Sequence, residues 1–307
     1  MIDSLTNIFR SNEYGQLIDK HGYGPYNHLY LRYPIKKKSG SMRWLNPPME
    51  PLKTVQSEFL EKVSPLVKPH SAAVGFRKGT SVIDGAKAHL DSNVLLTLDL
   101  KDFFNNVQDY KIEHACREFT YALDNIGQIE DGEAEEVTDF FIALITGPKG
   151  LSQGAPTSPA ISNLVAKHLD KELTEIAEDE GLVYTRYADD LTFSSESTSI
   201  DMKPILIKVR HAIRRQNFTV NTRKTRIQRP HRRMSVTGIV VNDKLSVPKW
   251  KWRQFRARLH NIERDKKILN QTELEEIIGY AQWIKQLHPK RGQTFQEQIG
   301  RIRSFQP

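Results

Sequence analysis

Two aspartates stand side by side at Asp189 and Asp190, inside the segment YADD, and a third, Asp99, closes the apolar run NVLLTLDL at residues 93–100. Adjacent carboxylates repel, so a turn that holds them either raises a pKa or takes up a cation. Mg2+ suits this role, because it is a hard ion that binds a few carboxylates together with phosphate oxygens and water, and Mn2+ could substitute for it. If Asp99 lay alongside, the three could hold two ions and carry out phosphoryl transfer. One metal would activate an attacking hydroxyl, and the other would stabilise the leaving pyrophosphate oxygen. Taken alone, an Asp-Asp pair is better explained by an exposed turn, since short motifs recur by chance.

The elements around these residues set their context. Residues 93–100 have the length and near-continuous apolarity of a strand buried on both faces. Residues 182–187 and 191–194 read as strands flanking an acidic tip at 188–190. Ser158 and Pro159, followed by Ile161, Leu164, Val165, Leu169, Leu173 and Ile176 with Gly181 as stop, predict one helix with Ser158 as its N-cap. A further helix is expected over 203–216, and a hairpin over 234–247 turning at Asn242-Asp243. The last stretch of the chain reads as basic helices, with apolar faces supplied by residues such as Ile262, Ile268, Leu274, Ile277 and Trp283. KKKSGS at 36–41, in a Gly- and Pro-rich first third, suggests a hairpin with a basic tip. Strands and helices follow no regular βαβ alternation, which favours an α+β fold.

Composition narrows the partners. The 307 residues carry 45 Lys+Arg against 37 Asp+Glu, and 25 of those basic residues but only 7 of the acidic ones lie between Lys203 and Pro307. Such asymmetry points to a polyanion held by the C-terminal third, nucleic acid first. KWKWRQFRAR at 249–258 interleaves Trp250, Trp252 and Phe255 with Arg253, Arg256 and Arg258. Cations for phosphates and rings for unpaired bases suit RNA, although one tryptophan, Trp252, is expected in the core. The single cysteine, Cys116, excludes a disulfide framework and reads as a small semi-buried residue. No apolar run is long enough to span a bilayer, and the opening residues MIDSL lack the plan of a secretion signal, so a cytoplasmic protein without membrane contact is expected.

DLKDFF at 99–104, LSQGAPTSP at 151–159 and YADD at 187–190, in this order and on these elements, together resemble the palm of reverse transcriptases. IKKKSG at 35–40 with Arg43 and Pro47 is similar to the family's first fingers block. GFRKGTS at 75–81 is similar to the second, and NTRKT at 221–225 to the lysine-bearing block after the catalytic hairpin. The resemblance implies a right-hand polymerase fold. Its fingers would occupy residues 1–92 with a helical fingers/palm insertion at 111–150. Its palm, an antiparallel sheet backed by helices, would occupy 93–110 and 151–245, and its mostly helical thumb 246–307. It implies Asp99 and Asp189 as metal ligands and Asp190 as a weaker one. Phe104 would gate against the 2′-hydroxyl of an incoming nucleotide, so that deoxynucleoside triphosphates are used, with Phe103 in the core. Lys37, Lys38, Arg43 and Arg77 would contact triphosphate or template, and Gln153 and Gly154 the nucleotide. Lys224 would protonate pyrophosphate or contact a backbone phosphate.

Two segments resemble the retron branch of bacterial reverse transcriptases. Val236, Thr237 and Gly238 match its Val-Thr-Gly signature, in a hairpin that grips the primer end; the glycine also suits a plain bulge. Residues 85–89, GAKAH, follow its Asn-Ala-x-x-His pattern with Gly85 in place of asparagine, and His89 also fits a core position. The length is that expected of a retron enzyme, and maturase, endonuclease or ribonuclease H extensions are not expected. A retron enzyme implies a bacterial protein that binds its cognate noncoding RNA, starts from an RNA 2′-hydroxyl and copies part of that RNA into single-stranded DNA. The branched RNA–DNA stays bound and restrains a separately encoded effector in defence against phage. The alternatives are another bacterial reverse transcriptase (diversity-generating, reduced group II intron or abortive-infection type) and a catalytically idle polymerase fold that serves as an RNA-binding scaffold.

Overall fold

The computed structural model describes Leu5, Ile8, Phe9 and residues 12–22, 24–37, 40 and 42–306. Lys38, Ser39 and Ser41 of the expected basic tip, and Pro307, lie outside the described residues.

In chain order, α1 (Asn12–His21) precedes a hairpin of β1 (Tyr33–Lys36) and β2 (Met42–Leu45), followed by α2 (Leu52–Lys62) and α3 (Val82–Lys87). The buried strand β3 (Val94–Asp99) leads to α4 (Asp109–Asp124) and α5 (Ala134–Ile145), then to the two-residue strands β4 (Thr146–Gly147) and β5 (Gly150–Leu151). Next come α6 (Ser158–Val165), α7 (Lys167–Asp179), β6 (Val183–Tyr187), β7 (Asp190–Ser195) and α8 (Met202–Arg215). The remainder is β8 (Arg226–Gln228), β9 (Ser235–Val236), β10 (Ile239–Val240) and the helices α9 (Lys249–Arg264), α10 (Gln271–Leu287) and α11 (Pro289–Arg303).

The chain forms two compact units, each discontinuous in sequence: Met1–Ser81, Leu96–Phe193 and Asp201–Arg226 in the first, and Val82–Leu95, Ser194–Ile200 and Ile227–Pro307 in the second. A four-stranded sheet of order β6-β7-β3-β8 is the frame of the first unit; the strand ends 94–95, 194–195 and 227–228 belong to the second. In the first unit Phe59 of α2 packs edge-on against Phe119 of α4 and Phe141 of α5, with ring centroids 5.0 and 5.1 Å apart. Cys116, on the buried face of α4, is fully enclosed, and burial pushes its thiol up, so it stays an unreactive core residue. The second unit has one core where α9, α10 and α11 meet at Phe255, Leu259, Ile277, Ile284 and Phe295. A second core there joins Ala86 and Leu95 to Met234, Val236, Ile239 and Val241.

Local chemistry explains most boundaries. Asp201 caps α8, accepting from the Lys203 backbone N–H at 3.0 Å, and Asn270 with Glu273 forms a reciprocal capping box on α10. Two expectations need correction. The single helix expected from Ser158 is two, interrupted at Ala166, and the residue before it is Thr157, with no side-chain cap. Apolar periodicity runs straight through Ala166, which has neither glycine nor proline to mark the bend. The hairpin over 234–247 turns first at Thr237-Gly238, where both residues have positive φ (46° and 87°), the geometry of a two-residue turn. The chain reverses again beyond it, Val240 pairing with Ser246.

Candidate active site

The apolar strand β3 delivers Asp99 to its exit with only 4% of its surface exposed. Backbone bonds fix what lies on either side. Leu100 N–H donates to the Asp189 carbonyl at 2.8 Å, which places the β6–β7 turn beside Asp99. On the other side Asn221 N–H donates to the Asp99 carbonyl at 2.8 Å, and Lys101 N–H to the Thr219 carbonyl at 2.7 Å. Side chains complete the arrangement: Asn221 Nδ2 donates to Asp99 Oδ1 at 3.0 Å, and Lys224 Nζ to Asp99 Oδ2 at 2.5 Å. The turn itself is tight. Ala188 is buried with φ +55°, a left-handed conformation that costs any residue with a Cβ.

The three carboxylates therefore share one crowded pocket, and its electrostatics follow. Loss of solvation, then the charges of Asp189 and Asp99, push Asp190 up to about 6. Burial and Asp99 also raise Asp189, against the pull of Lys224. The hydrogen bond to Asp99 raises Lys224 and keeps it an ammonium. One cation thus partly offsets three acids, and the raised carboxylates mark negative charge still seeking a partner. Hard oxygen donors in excess of local cations fit a divalent ion such as Mg2+. Among the described residues no group of three His, Cys, Asp or Glu side chains forms a ready metal cage. An open arrangement suits an ion that completes its shell with substrate phosphates and water.

Of the other sequence-predicted residues, Lys224 joins these carboxylates. Phe103 is buried, with its ring 5.6 Å from Phe218, whereas Phe104 is half-buried. The two separate as expected, on turns at 101–106. Phe76, which the sequence reading did not single out, lies 6.4 Å from Phe104 and 5.7 Å from Tyr187, so it links Phe104 to the residue that leads into the acidic turn. Gly154 has φ +107°, and a Cβ there would meet Pro47 at 3.3 Å. Gln153 accepts from Asn46 N–H at 2.8 Å, so glycine at 154 answers to backbone conformation and to Pro47. Lys37 and Arg43 are exposed on the β1–β2 hairpin, and Arg77 is exposed on the loop after Gly75.

Arg186, fully buried on β6 and bonded to Asp170 of α7, was missed by the sequence reading. The only signal was an arginine inside a strand otherwise fit for the core. Its neighbour Tyr184 donates to the same carboxylate at 2.9 Å.

The remaining predicted residues lie in the second unit. Val236 is buried, Gly238 completes its turn, and Thr237 Oγ1 is buried with no hydrogen-bond partner among the described residues. His89 is buried, bonded through Nδ1 to Ser194 Oγ at 2.7 Å, and burial lowers its pKa to about 4. On α9, Trp250 is exposed while Trp252 is only partly buried against the helical core, short of the core position expected for it. The guanidiniums of Arg291, Arg256 and Arg253 lie 4.4, 5.7 and 5.8 Å from the Trp252 ring. Arg258 instead bonds Glu276 at 2.8 Å.

Residues 35–241 match the family model described as reverse transcriptase (RNA-dependent DNA polymerase). The chain belongs to the reverse transcriptase family. It is 34% identical over 297 residues to the retron Mx162 reverse transcriptase of Myxococcus xanthus, covering 90% of this chain and 61% of that protein. It is 31% identical to the retron Mx65 reverse transcriptase of the same organism, covering 86% and 62%. The retron Ec86 reverse transcriptase of Escherichia coli is 28% identical, covering 85% and 77%. The chain thus spans about three fifths of the length of its two Myxococcus relatives. Among solved structures, telomerase of Candida albicans with a fragment of telomeric RNA superposes with TM-score 0.51 at 10% identity, over 87% of this chain and 56% of that one. Apo telomerase of Candida tropicalis gives 0.50 at 12%, over 97% and 66%. These likenesses show that this chain has the mixed helix-and-sheet polymerase fold expected from its motifs. No helix among the described residues is long and apolar enough to cross a membrane.

Proposed function

We propose that this chain is a retron reverse transcriptase that copies a cognate structured RNA into single-stranded DNA by two-metal nucleotidyl transfer, starting from an RNA 2′-hydroxyl. The observation that carries the reading is the pairing of Leu100 N–H with the Asp189 carbonyl, which sets Asp99 and the Asp189-Asp190 turn side by side with Lys224 on Asp99.

Asp99 and Asp189 would hold Mg2+, or Mn2+, with Asp190 assisting. When bound, the ions would supply activation of the attacking hydroxyl and stabilisation of the leaving oxygen. The chain's own groups do the rest. Lys224, kept protonated, leaves Asp99 Oδ2 and donates toward the departing pyrophosphate. Phe104, braced by Phe76, blocks the space of a 2′-hydroxyl and selects deoxynucleoside triphosphates. Lys37, Arg43, Arg77, Gln153 and Gly154 line the nucleotide and template, Val236 to Gly238 grip the primer, and Trp250, Arg253, Arg256 and Arg258 bind RNA. Residues 1–92 with 111–150 would serve as fingers, 93–110 and 151–245 as palm, and 246–307 as thumb. Retention of the branched RNA–DNA, restraint of a separate effector against phage and a cytoplasmic location follow from the retron reading.

The test is DNA synthesis by the purified chain with Mg2+, deoxynucleotides and the RNA that copurifies with it. Asp189→Asn should abolish synthesis while RNA binding stays near the parent's. Equal synthesis by mutant and parent defeats the assignment.

A further inference from the structure

Beneath the acidic turn sits a cation that the reaction as described above does not use. Arg186 is completely buried, and so is the carboxylate it faces. Its guanidinium makes four hydrogen bonds: Nε to Asp170 Oδ1 at 2.7 Å, Nη2 to Asp170 Oδ2 at 2.6 Å, Nη1 to Asn163 Oδ1 at 3.1 Å and Nη1 to the Ala188 carbonyl at 3.2 Å. The last acceptor matters most. It belongs to the peptide that joins Ala188 to Asp189, and Ala188 is the residue held at φ +55°. A left-handed alanine persists only where its surroundings dictate it. Here Nη1 of a buried guanidinium donates to its carbonyl.

The same side chain reaches two further places. Asn163, whose oxygen it binds, donates through Nδ2 to the Gly75 carbonyl at 2.8 Å. Gly75 lies so close to the turn that a Cβ on it would meet Ala188 N and the Tyr187 ring at 3.1 Å. Arg186 also lies 5.8 Å from the ring of Phe103, in the turns that follow Asp99. One guanidinium therefore touches the segments carrying both candidate metal-binding aspartates, and through Asn163 the loop that carries Phe76 and Arg77. A buried ion pair is a poor source of stability, because desolvation cancels much of the attraction; its retention under a strained turn points to geometry.

We propose that Arg186, oriented by Asp170 and Asn163, is a positioning residue for nucleotidyl transfer: it holds the Ala188–Asp189 peptide so that Asp189 faces Asp99, and locks the Gly75 loop to that turn. This rests on the polymerase reading. Lysine is a point charge on a flexible stem and cannot serve the bidentate carboxylate, Asn163 and Ala188 together.

The test compares Arg186→Lys and Asn163→Ala with the parent in single-turnover DNA synthesis, normalised to active sites, with folding checked by circular dichroism and Mn2+ binding followed by electron paramagnetic resonance. Arg186→Lys should lower kcat about 100-fold, the scale of a 1 Å misplacement of reacting groups. KM for the deoxynucleotide should move less than about threefold, because binding in the ground state is retained. Mn2+ binding should weaken. Asn163→Ala, which keeps the Arg186–Asp170 pair, should lower kcat about tenfold in the same direction. If Arg186→Lys does not fold, Asn163→Ala decides alone. Folded variants with parental kcat per active site and parental Mn2+ binding overturn the proposal, since a purely structural role would cost only stability and active fraction. Asp189→Asn is run beside them: if it stays active, the polymerase reading has failed, whereas an inactive Asp189→Asn with parental Arg186→Lys and Asn163→Ala condemns the positioning role alone.

Discussion

The acidic turn and the helix α9 are both dense in charge, yet they are organised in opposite ways. At the turn the carboxylates sit close to a buried strand end, each approach fixed by a backbone bond, with Lys224 and Asn221 assigned to separate oxygens of Asp99. Around α9 the cations are largely exposed, with Arg253 and Arg256 of the helix and Arg291 of α11 around one indole and Arg258 paired with the exposed acid Glu276. The first arrangement is stiff and suits chemistry at one point; the second is a broad field that suits a long polyanion. Substitutions at the turn should therefore act steeply and those on α9 gradually, and each of the following outcomes bears on that contrast.

The largest effect is expected from Asp99→Asn. It removes the carboxylate on which Lys224 and the proposed metal ions converge, and should cost about a thousandfold in the rate of nucleotide addition, the scale of losing a preorganised electrostatic group. Rapid-quench kinetics measure it, and a loss below tenfold would place the chemistry elsewhere. Next comes Asp170→Ala, which leaves Arg186 buried without its counter-charge and should destabilise the first unit by about 3–5 kcal/mol in denaturant unfolding. A cost near zero would mean that water reaches Arg186 and that the turn is not stiff.

The contrast also explains what was legible in the sequence. Asp99 and the Asp189-Asp190 tip could be read because a strand buried on both faces shows as an unbroken apolar run, and a charge at its end is conspicuous. Arg186 could not, because its partner Asp170 lies on another element and nothing local tells a buried arginine from an exposed one on an edge strand. The break at Ala166 was hidden for a related reason: the apolar faces of α6 and α7 keep the helical period across it. The turn at Thr237-Gly238 was missed because a β-branched residue rarely takes positive φ, while Asn242-Asp243 lies in the second reversal, between Val240 and Ser246. Lys37, Arg43 and Arg77 were named through family resemblance alone, and their exposed positions leave their role to experiment.

Smaller effects follow at the rim of the pocket. Phe104→Val should open the space beside the sugar and relax discrimination against ribonucleotides by about 10- to 200-fold, the range for removing a modest steric block. Unchanged sugar selectivity would return Phe104 to a packing role. The raised carboxylates predict a pH signature as well. Asp190 titrates near 6 in the folded chain against 3.8 as its ordinary value, so the fold binds more protons than the unfolded chain between those pH values. This group's contribution to stability is present below about 3.8 and is lost as the pH rises through about 6. Thermal unfolding without divalent metal should show that decline, and Asp190→Asn should flatten it. Synthesis should rise over the same interval, as the carboxylates lose the protons that compete with a metal.

The gentlest change is expected on α9, where it separates residues that look equivalent in sequence. Arg253 and Arg256 hold their charge near the Trp252 ring, whereas Arg258 is bonded to Glu276, and that partner raises its pKa. A cation already neutralised by a neighbouring carboxylate releases fewer counterions from a polyanion than one facing it alone. Arg253→Ala and Arg256→Ala should each lower the slope of log affinity against log salt by about one, whereas Arg258→Ala should change it by less than half as much. Filter binding of the copurifying RNA across a salt series measures all three. Equal slopes for Arg258→Ala and Arg253→Ala would mean that RNA displaces Glu276, and α9 would then be a surface that rearranges on binding.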